Sequence, residues 1–78
     1  MADLAIERHE DKYEDGSLRL VTFTLQGERT GPHLEYWPNG NPRCVGIYFK
    51  GERVSEWKSW FSDGRVARVK TYQPGNPE

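Results

Sequence analysis

The chain has 78 residues, with 11 Lys plus Arg, 12 Asp plus Glu, two His and one Cys; 35% of its residues are hydrophobic. This length fits one small domain and excludes a second one. The low apolar fraction excludes a deep core, and the single Cys44 excludes an internal disulfide or a cysteine-rich zinc site. Three Trp, four Tyr and three Phe favour a thin folded sheet over disorder, because large rings bury much area per residue.

Charge is divided unevenly along the chain. Residues 1–16 carry six acids and two bases, a net charge of −4, and residues 17–78 carry six acids and nine bases, a net charge of +3. A sequence pI of about 6.1 weighs against duplex nucleic-acid binding as the main function. The start of the chain has no pattern typical of a signal peptide, and no apolar run is long enough to span a membrane, so we expect a cytoplasmic protein.

Three turn dipeptides recur at equal intervals along the chain. Asp15-Gly16, Asn39-Gly40 and Asp63-Gly64 follow one another with a constant 24-residue spacing. We therefore predict one domain, residues 1–78, with repeats at about 4–27, 28–51 and 52–75. The same offset relates four further sets of positions, which are Gly27, Gly51 and Gly75; Val21, Val45 and Val69; Tyr13, Trp37 and Phe61; and Thr24, Tyr48 and Tyr72.

The segments between the turns have the length of strands. Asn-Gly and Asp-Gly between apolar-rich runs are typical of tight hairpin turns, and segments of about six to ten residues leave no room for alternating helices. The pattern predicts an all-β fold, a six-stranded antiparallel meander built from three 24-residue β-hairpin repeats. Strands are expected near residues 4–13, 18–26, 32–37, 42–50, 56–61 and 65–73.

Alternation along the strands predicts two faces of different polarity. The less apolar face is expected to carry polar and basic side chains together with Cys44 and two tyrosines. The other face is predicted to be the core, and it carries Val21, Phe23, Leu25, Val45, Ile47, Phe49 and Val69.

The repeats also predict one register for all three hairpins. A loop with its glycine at a bulge position sets Asp11 against Arg19, a pair of opposite charges. In the second repeat, the same loop sets Glu35 against Arg43. A tighter two-residue loop would oppose Lys12 to Arg19, so we predict the bulged loop.

The turn and strand residues of the second unit resemble a known repeat. The run from Gly31 to Gly40, followed by Tyr48-Phe49-Lys50-Gly51, resembles the MORN-type repeat, in particular the variant of bacterial YwqK-like antitoxins. The third unit also matches, whereas the first is degenerate, with His9 and Thr24 in place of aromatic residues. The resemblance implies a β-hairpin meander that acts as an interaction module for proteins or phospholipid surfaces. It carries over no catalytic residues.

Side chains that could perform chemistry follow the repeat rather than a ligand geometry. His9 and His33 share one repeat phase, and the third repeat has Trp57 there, which predicts a packed flat ring rather than a metal ligand. Cys44 has no histidine at a spacing that indicates activation. We therefore predict no enzymatic activity, no cofactor and no metal site.

Aromatic and basic residues exceed what one face of a thin sheet readily buries, which predicts a surface for a protein partner. The residues expected to bind it are Tyr36, Arg43, Tyr48, Trp57, Lys58, Trp60, Arg68 and Lys70. We expect alanine at Trp57 or Trp60 to abolish the complex without unfolding the domain.

The predicted function is a small stoichiometric inhibitor, either antitoxin-like or a phage-borne inhibitor of a bacterial defence nuclease complex. The expected partner is accordingly a toxin or a nuclease-type target. Four alternatives stay open: packing of the aromatic residues within the sheet or in a homodimer, pairing of the open edges near residues 4–13 and 65–73 with a partner or a second copy, attachment to an anionic membrane surface, and single-strand nucleic-acid binding. The near-neutral net charge weighs against the last of these.

Overall fold

Alternating side chains and tight turns form one antiparallel sheet in the computed structural model, which describes residues 5–73. The strands pair in the order β1-β2-β4-β5-β6-β7, with the short β3 also paired to β2. The all-β antiparallel class is confirmed, with seven strands in place of the predicted six. Their bounds are β1 (Ile6–Lys12), β2 (Leu18–Leu25), β3 (Glu28–Arg29), β4 (Gly31–Tyr36), β5 (Pro42–Phe49), β6 (Glu52–Trp60) and β7 (Val66–Tyr72).

The additional strand arises from a break before Gly31. This glycine has a φ of +73°, outside the extended region, and the regular pairing with β2 is interrupted between Arg29 and Leu34. Ser55, which holds the same repeat phase as Gly31, has a φ of +62° within β6. The pairing of β6 with β5 is irregular at the same place, opposite Gly46.

The predicted bulged loop is confirmed at the three hairpin turns. The Tyr13 N–H donates to the Ser17 carbonyl at 2.9 Å, and the Gly16 N–H donates to the Tyr13 carbonyl at 3.0 Å. Gly16 has a φ of +91°, the left-handed conformation that this bulge requires. The same pair of hydrogen bonds closes the turns at residues 37–41 and 61–65.

The predicted register is wrong by one residue, although the predicted charge pairs form. Asp11 lies opposite Leu20 instead of Arg19, because a second bulge makes Arg19 an extra residue. Its guanidinium nevertheless donates to the Asp11 carboxylate. The same bulge occurs opposite Glu35, whose Oε1 lies 3.9 Å from Arg43 Nε.

The sheet is a single layer, with extents of 44 × 34 × 10 Å. Paired residues share a face, and the two faces are named here after their most buried apolar residues. The Val21 face carries Ile6, Val21, Phe23, Leu25, Leu34, Tyr36, Val45, Ile47, Phe49, Val54, Lys58, Trp60, Val66 and Val69. The Trp57 face carries His9, Asp11, Thr24, His33, Glu35, Cys44, Gly46, Tyr48, Arg53, Trp57, Ser59, Arg68, Lys70 and Tyr72.

The prediction that the Val21 face is the core is wrong for much of that face. Val21 is 2% exposed, but Phe49 is 55% and Val69 is 49% exposed. The more polar face instead buries Trp57 and His33, each 5% exposed. In a single layer a side chain is buried only where neighbours on its own face surround it. His33, Tyr48 and Tyr72 surround Trp57 in this way, and on the Val21 face only Val21 and Val54 are buried among the apolar residues of the described chain.

Candidate functional site

Four rings cross the Trp57 face, one from each of the strands β4 to β7. The rings of His33 and Tyr48 have centroids 5.6 Å apart, and those of Tyr48 and Trp57 are 5.1 Å apart. The ladder ends at Tyr72, whose ring centroid lies 6.3 Å from that of Trp57. All three contacts are edge-to-face, the arrangement that aromatic quadrupoles favour.

Trp57 is fixed within this ladder on several sides. The indole packs directly over Gly46, where a side-chain methyl group would overlap the ring. Its Nε1–H donates to the Ile47 carbonyl at 3.1 Å, and the Arg53 guanidinium carbon lies 4.4 Å from the ring centroid. Trp57 therefore packs the sheet, and its role as a partner anchor stays a prediction that now applies only to its exposed rim.

A shallow cationic groove of about 190 Å³ lies beside Trp57. Within residues 5–73, Arg53, Arg68 and Lys70 take part in none of the ion pairs. Hydrogen bonds to the hydroxyls of Tyr48 and Tyr72 raise the pKa of Arg53, and the second of them, at 3.3 Å, holds the guanidinium at the groove. The groove is lined by Cys44, Arg53, Trp57, Lys58, Ser59, Arg68, Lys70 and Tyr72.

The eight predicted partner-binding residues divide between the two faces. Trp57, Arg68 and Lys70 meet in the cationic groove, which Lys58 borders. Tyr48 also lies on the Trp57 face. Tyr36, Lys58 and Trp60 belong to the Val21 face, and Arg43 lies apart, its guanidinium carbon 4.6 Å from the Trp37 ring centroid.

The Val21 face carries a set of large apolar side chains that no described element covers. Sequence reasoning assigned Ile47, Phe49 and Val69 to a core, although a single-layer meander has no second layer to cover either of its faces. An open depression of about 510 Å³ lies among Ile47, Phe49 and Val54. The side chains that are between 45% and 59% exposed on this face are Ile6, Ile47, Phe49, Val66 and Val69.

Polar groups on the Trp57 face do not form an activated nucleophile or a metal centre in the described chain. Burial raises the pKa of the Cys44 thiol, and the negative charge of Glu35 raises it further, so little thiolate is present at neutral pH. His33 Nε2 lies 2.8 Å from Glu35 Oε2. Among residues 5–73, no three His, Cys, Asp or Glu side chains lie close enough to hold one metal ion.

Comparison with protein-family models, curated proteins and solved structures finds no match to the chain. None of residues 5–73 forms a helix able to cross a membrane.

Proposed function

We propose that the chain is a non-enzymatic protein-binding module whose partner covers the Val21 face. The observation that carries this proposal is the set of five half-exposed apolar side chains on one face of a sheet that is only one layer thick. Contiguous apolar patches of more than a few hundred Å² are rare on monomers and are typical of interaction sites. Covering such a patch is favourable by roughly 25 cal/mol per Å² of apolar surface.

Three of the predicted binding residues support the same face. Tyr36 and Trp60 lie there as half-buried rings, and the Lys58 ammonium lies 5.7 Å from the Trp60 ring centroid. Tyr and Trp contribute most strongly at interfaces, because a large rigid ring loses little entropy when it is covered. We assign Trp60 the role of central anchor, and we assign Phe49, which lines the open depression, the role of a second anchor.

We further propose that the domain is a MORN-type repeat of the YwqK-like kind, with three 24-residue units in residues 1–78. Recurrence of cross-strand contacts at this offset supports the proposal. The Tyr13 hydroxyl donates to the Tyr36 carbonyl at 2.6 Å, and Trp37 Nε1–H donates to the Trp60 carbonyl at 3.0 Å. The paired positions Asp11↔Leu20, Glu35↔Cys44 and Ser59↔Arg68 also differ by this offset.

The form of binding that we propose is stoichiometric inhibition in the cytoplasm, of a toxin or of a bacterial defence nuclease complex. A sheet face within extents of 44 × 34 Å is wide enough for a standard interface of about 800 Å² per partner. Under this proposal the module is non-enzymatic and acts on such a target by covering it. One chain is then consumed for each target molecule.

A pair of phenylalanine substitutions tests the proposed surface. Phe49 and Phe61 are 55% and 50% exposed, and Phe49 lies on the Val21 face whereas Phe61 begins the turn between β6 and β7. Tagged wild type and Phe61→Lys are expected to capture the same host protein stoichiometrically. Phe49→Lys is expected to weaken that complex by about 2 kcal/mol or more, because it places a charge in an apolar contact.

Two further readouts make this test decisive. Circular dichroism must show that both lysine variants keep the wild-type sheet signal. The captured protein must show toxic or nuclease activity that one equivalent of wild-type chain abolishes. Equal capture by both variants would contradict the Val21 face as the binding surface, and a captured protein with unaltered activity would contradict inhibition.

The cationic groove favours one second candidate, attachment to an anionic membrane surface. Arg53, Arg68 and Lys70 are free of ion pairs within residues 5–73, and each base near such a surface contributes about 1 kcal/mol. Under this candidate, wild type sediments with vesicles that contain phosphatidylserine, and Arg68→Glu together with Lys70→Glu abolishes the binding. Absence of sedimentation at low salt would reject it, and the same assay with a labelled single-stranded oligonucleotide would detect nucleic-acid binding.

A further inference from the structure

We propose that the β7 edge of one copy pairs with the β1 edge of a second copy, so that copies join head to tail. This inference goes beyond the proposed function, since it concerns the edges of the sheet and needs no other protein. In the strand order, β1 and β7 are the two ends, and within residues 5–73 each pairs with one neighbour only. Such edges present unpaired backbone N–H and C=O groups that can bind another strand.

The register of the interior pairs specifies how the two edges meet. Leu20 of β2 lies opposite Glu35 of β4, and one repeat later Cys44 of β5 lies opposite Ser59 of β6. Adding 24 residues once more places Arg68 of β7 opposite a position that is equivalent, in the repeat, to Glu35 and Ser59. The remaining residue at this repeat position in the described strands is Asp11 of β1. Arg68 therefore lies opposite Asp11 of the second copy.

The charges at these edge positions are complementary. Arg68 belongs to no ion pair among the described residues. Asp11 is bound by Arg19 of its own copy, and a carboxylate has two oxygens and can accept from a second guanidinium. The next pair in the same register, Val69 with Glu10 of the second copy, brings no like charges together. The register thus places a cation directly opposite an anion, and such cross-strand pairs of opposite charge stabilise the pairing of two strands.

The ring ladder continues across the same junction. Tyr72 ends the ladder on β7, with Trp57 on its inner side. His9 of β1 occupies the repeat phase of His33 and Trp57, the two rings that pack against Tyr48. Head-to-tail pairing therefore places His9 of the second copy on the face that carries Tyr72.

An interface between two different edges does not close on itself as a two-fold interface does. Each added copy presents a fresh β7 edge at one end and a fresh β1 edge at the other, so assembly continues into filaments or closes into larger rings. This property distinguishes the proposal from a homodimer that pairs two β1 or two β7 edges.

Two charge reversals test the junction by sedimentation velocity of the purified chain at low salt. The weight-average mass of wild type is expected to rise with concentration past twice the 9.1 kDa chain mass. Asp11→Arg alone opposes two arginines and Arg68→Asp alone opposes two aspartates, so each variant is expected to stay at the mass of one chain. An equimolar mixture restores an opposite-charge pair at every junction, and its mass is expected to rise again.

A matched reversal away from the edges, Glu56→Arg on β6, is expected to assemble like wild type. Circular dichroism of each variant checks that the sheet is retained. Wild type that stays at one chain mass at all concentrations would overturn the proposal. A limit at two chain masses, or single variants that assemble as well as their mixture, would overturn it too, because neither fits pairing of β7 with β1.

Discussion

Replacing Trp57 by alanine is expected to lower the free energy of unfolding by about 3–5 kcal/mol, the usual cost of removing a large buried ring. The indole is 5% exposed, packs against three other rings and donates a hydrogen bond to the Ile47 carbonyl. Small domains have a total stability of about 5–15 kcal/mol, so this one substitution removes a large share of it. This expectation replaces the one drawn from the sequence, that alanine here leaves the fold intact.

Urea unfolding followed by circular dichroism measures this effect, with Trp60→Ala as the matched control. The Trp60 ring is half-buried, and its contact with Trp37 uses its backbone carbonyl, which alanine retains. We expect Trp60→Ala to cost at most about half as much as Trp57→Ala. Equal unfolding midpoints for the two variants would contradict the assignment of Trp57 as the central packing residue.

Gly46→Ala is expected to destabilise the protein by about 1–3 kcal/mol or more, because the added methyl group overlaps the Trp57 ring. The effect should change sign when the ring is absent. In a Trp57→Ala background the methyl group has room, and alanine in place of glycine in a strand is favourable by about 0.5–1 kcal/mol. The prediction is therefore a strong interaction energy between positions 46 and 57.

Urea midpoints of the wild type, both single variants and the double variant give that interaction energy. Sulfate added equally to all four samples keeps the weakest of them folded. A Gly46→Ala penalty of the same size in both backgrounds would contradict direct packing of the indole on Gly46.

Local sequence signals predict the turns and strands well, because they depend on few residues. A positive φ in each hairpin turn requires glycine, and Gly16, Gly40 and Gly64 have φ values between +90° and +96°. The 24-residue spacing also predicts one bulged loop for all three hairpins. The short strand β3 was not predicted, because the third strand was expected only near residues 32–37 and residues 28–29 were assigned to no strand.

Burial was predicted less well, because it depends on contacts between strands. Alternation distinguishes two faces, but it does not say that a single layer leaves Ile47 and Phe49 half-exposed. Trp57 is buried in part because Gly46, on the neighbouring strand β5, leaves room for its ring. The spacing of residues along the sequence does not reveal that these two residues lie next to each other. His33 is also buried through a contact between strands, since its ring centroid lies 5.1 Å from that of Trp57.

The candidate site was predicted by residue type, which identifies rings and cations but not the face that carries them. Trp57, Arg68 and Lys70 do meet in one groove. Tyr36 and Trp60 lie on the opposite face, because each follows a ring of the Trp57 face by three positions on its own strand and side chains alternate. Arg53 was not among the predicted residues, although it lies one repeat after Arg29 in the sequence. In the structure its guanidinium lies near the rings of Trp57 and Tyr72.

Hydroxyl-radical footprinting of the free chain and of its captured complex tests the central claim most directly, that the Val21 face is open until a protein covers it. In the free chain, Phe49 and Phe61 are expected to be oxidised readily and Trp57 slowly, in line with their exposed fractions of 55%, 50% and 5%. In the complex, Phe49 is expected to become protected while Phe61 remains reactive. Protection of Phe49 in the free chain, or equal reactivity of Phe49 in both samples, would contradict the account.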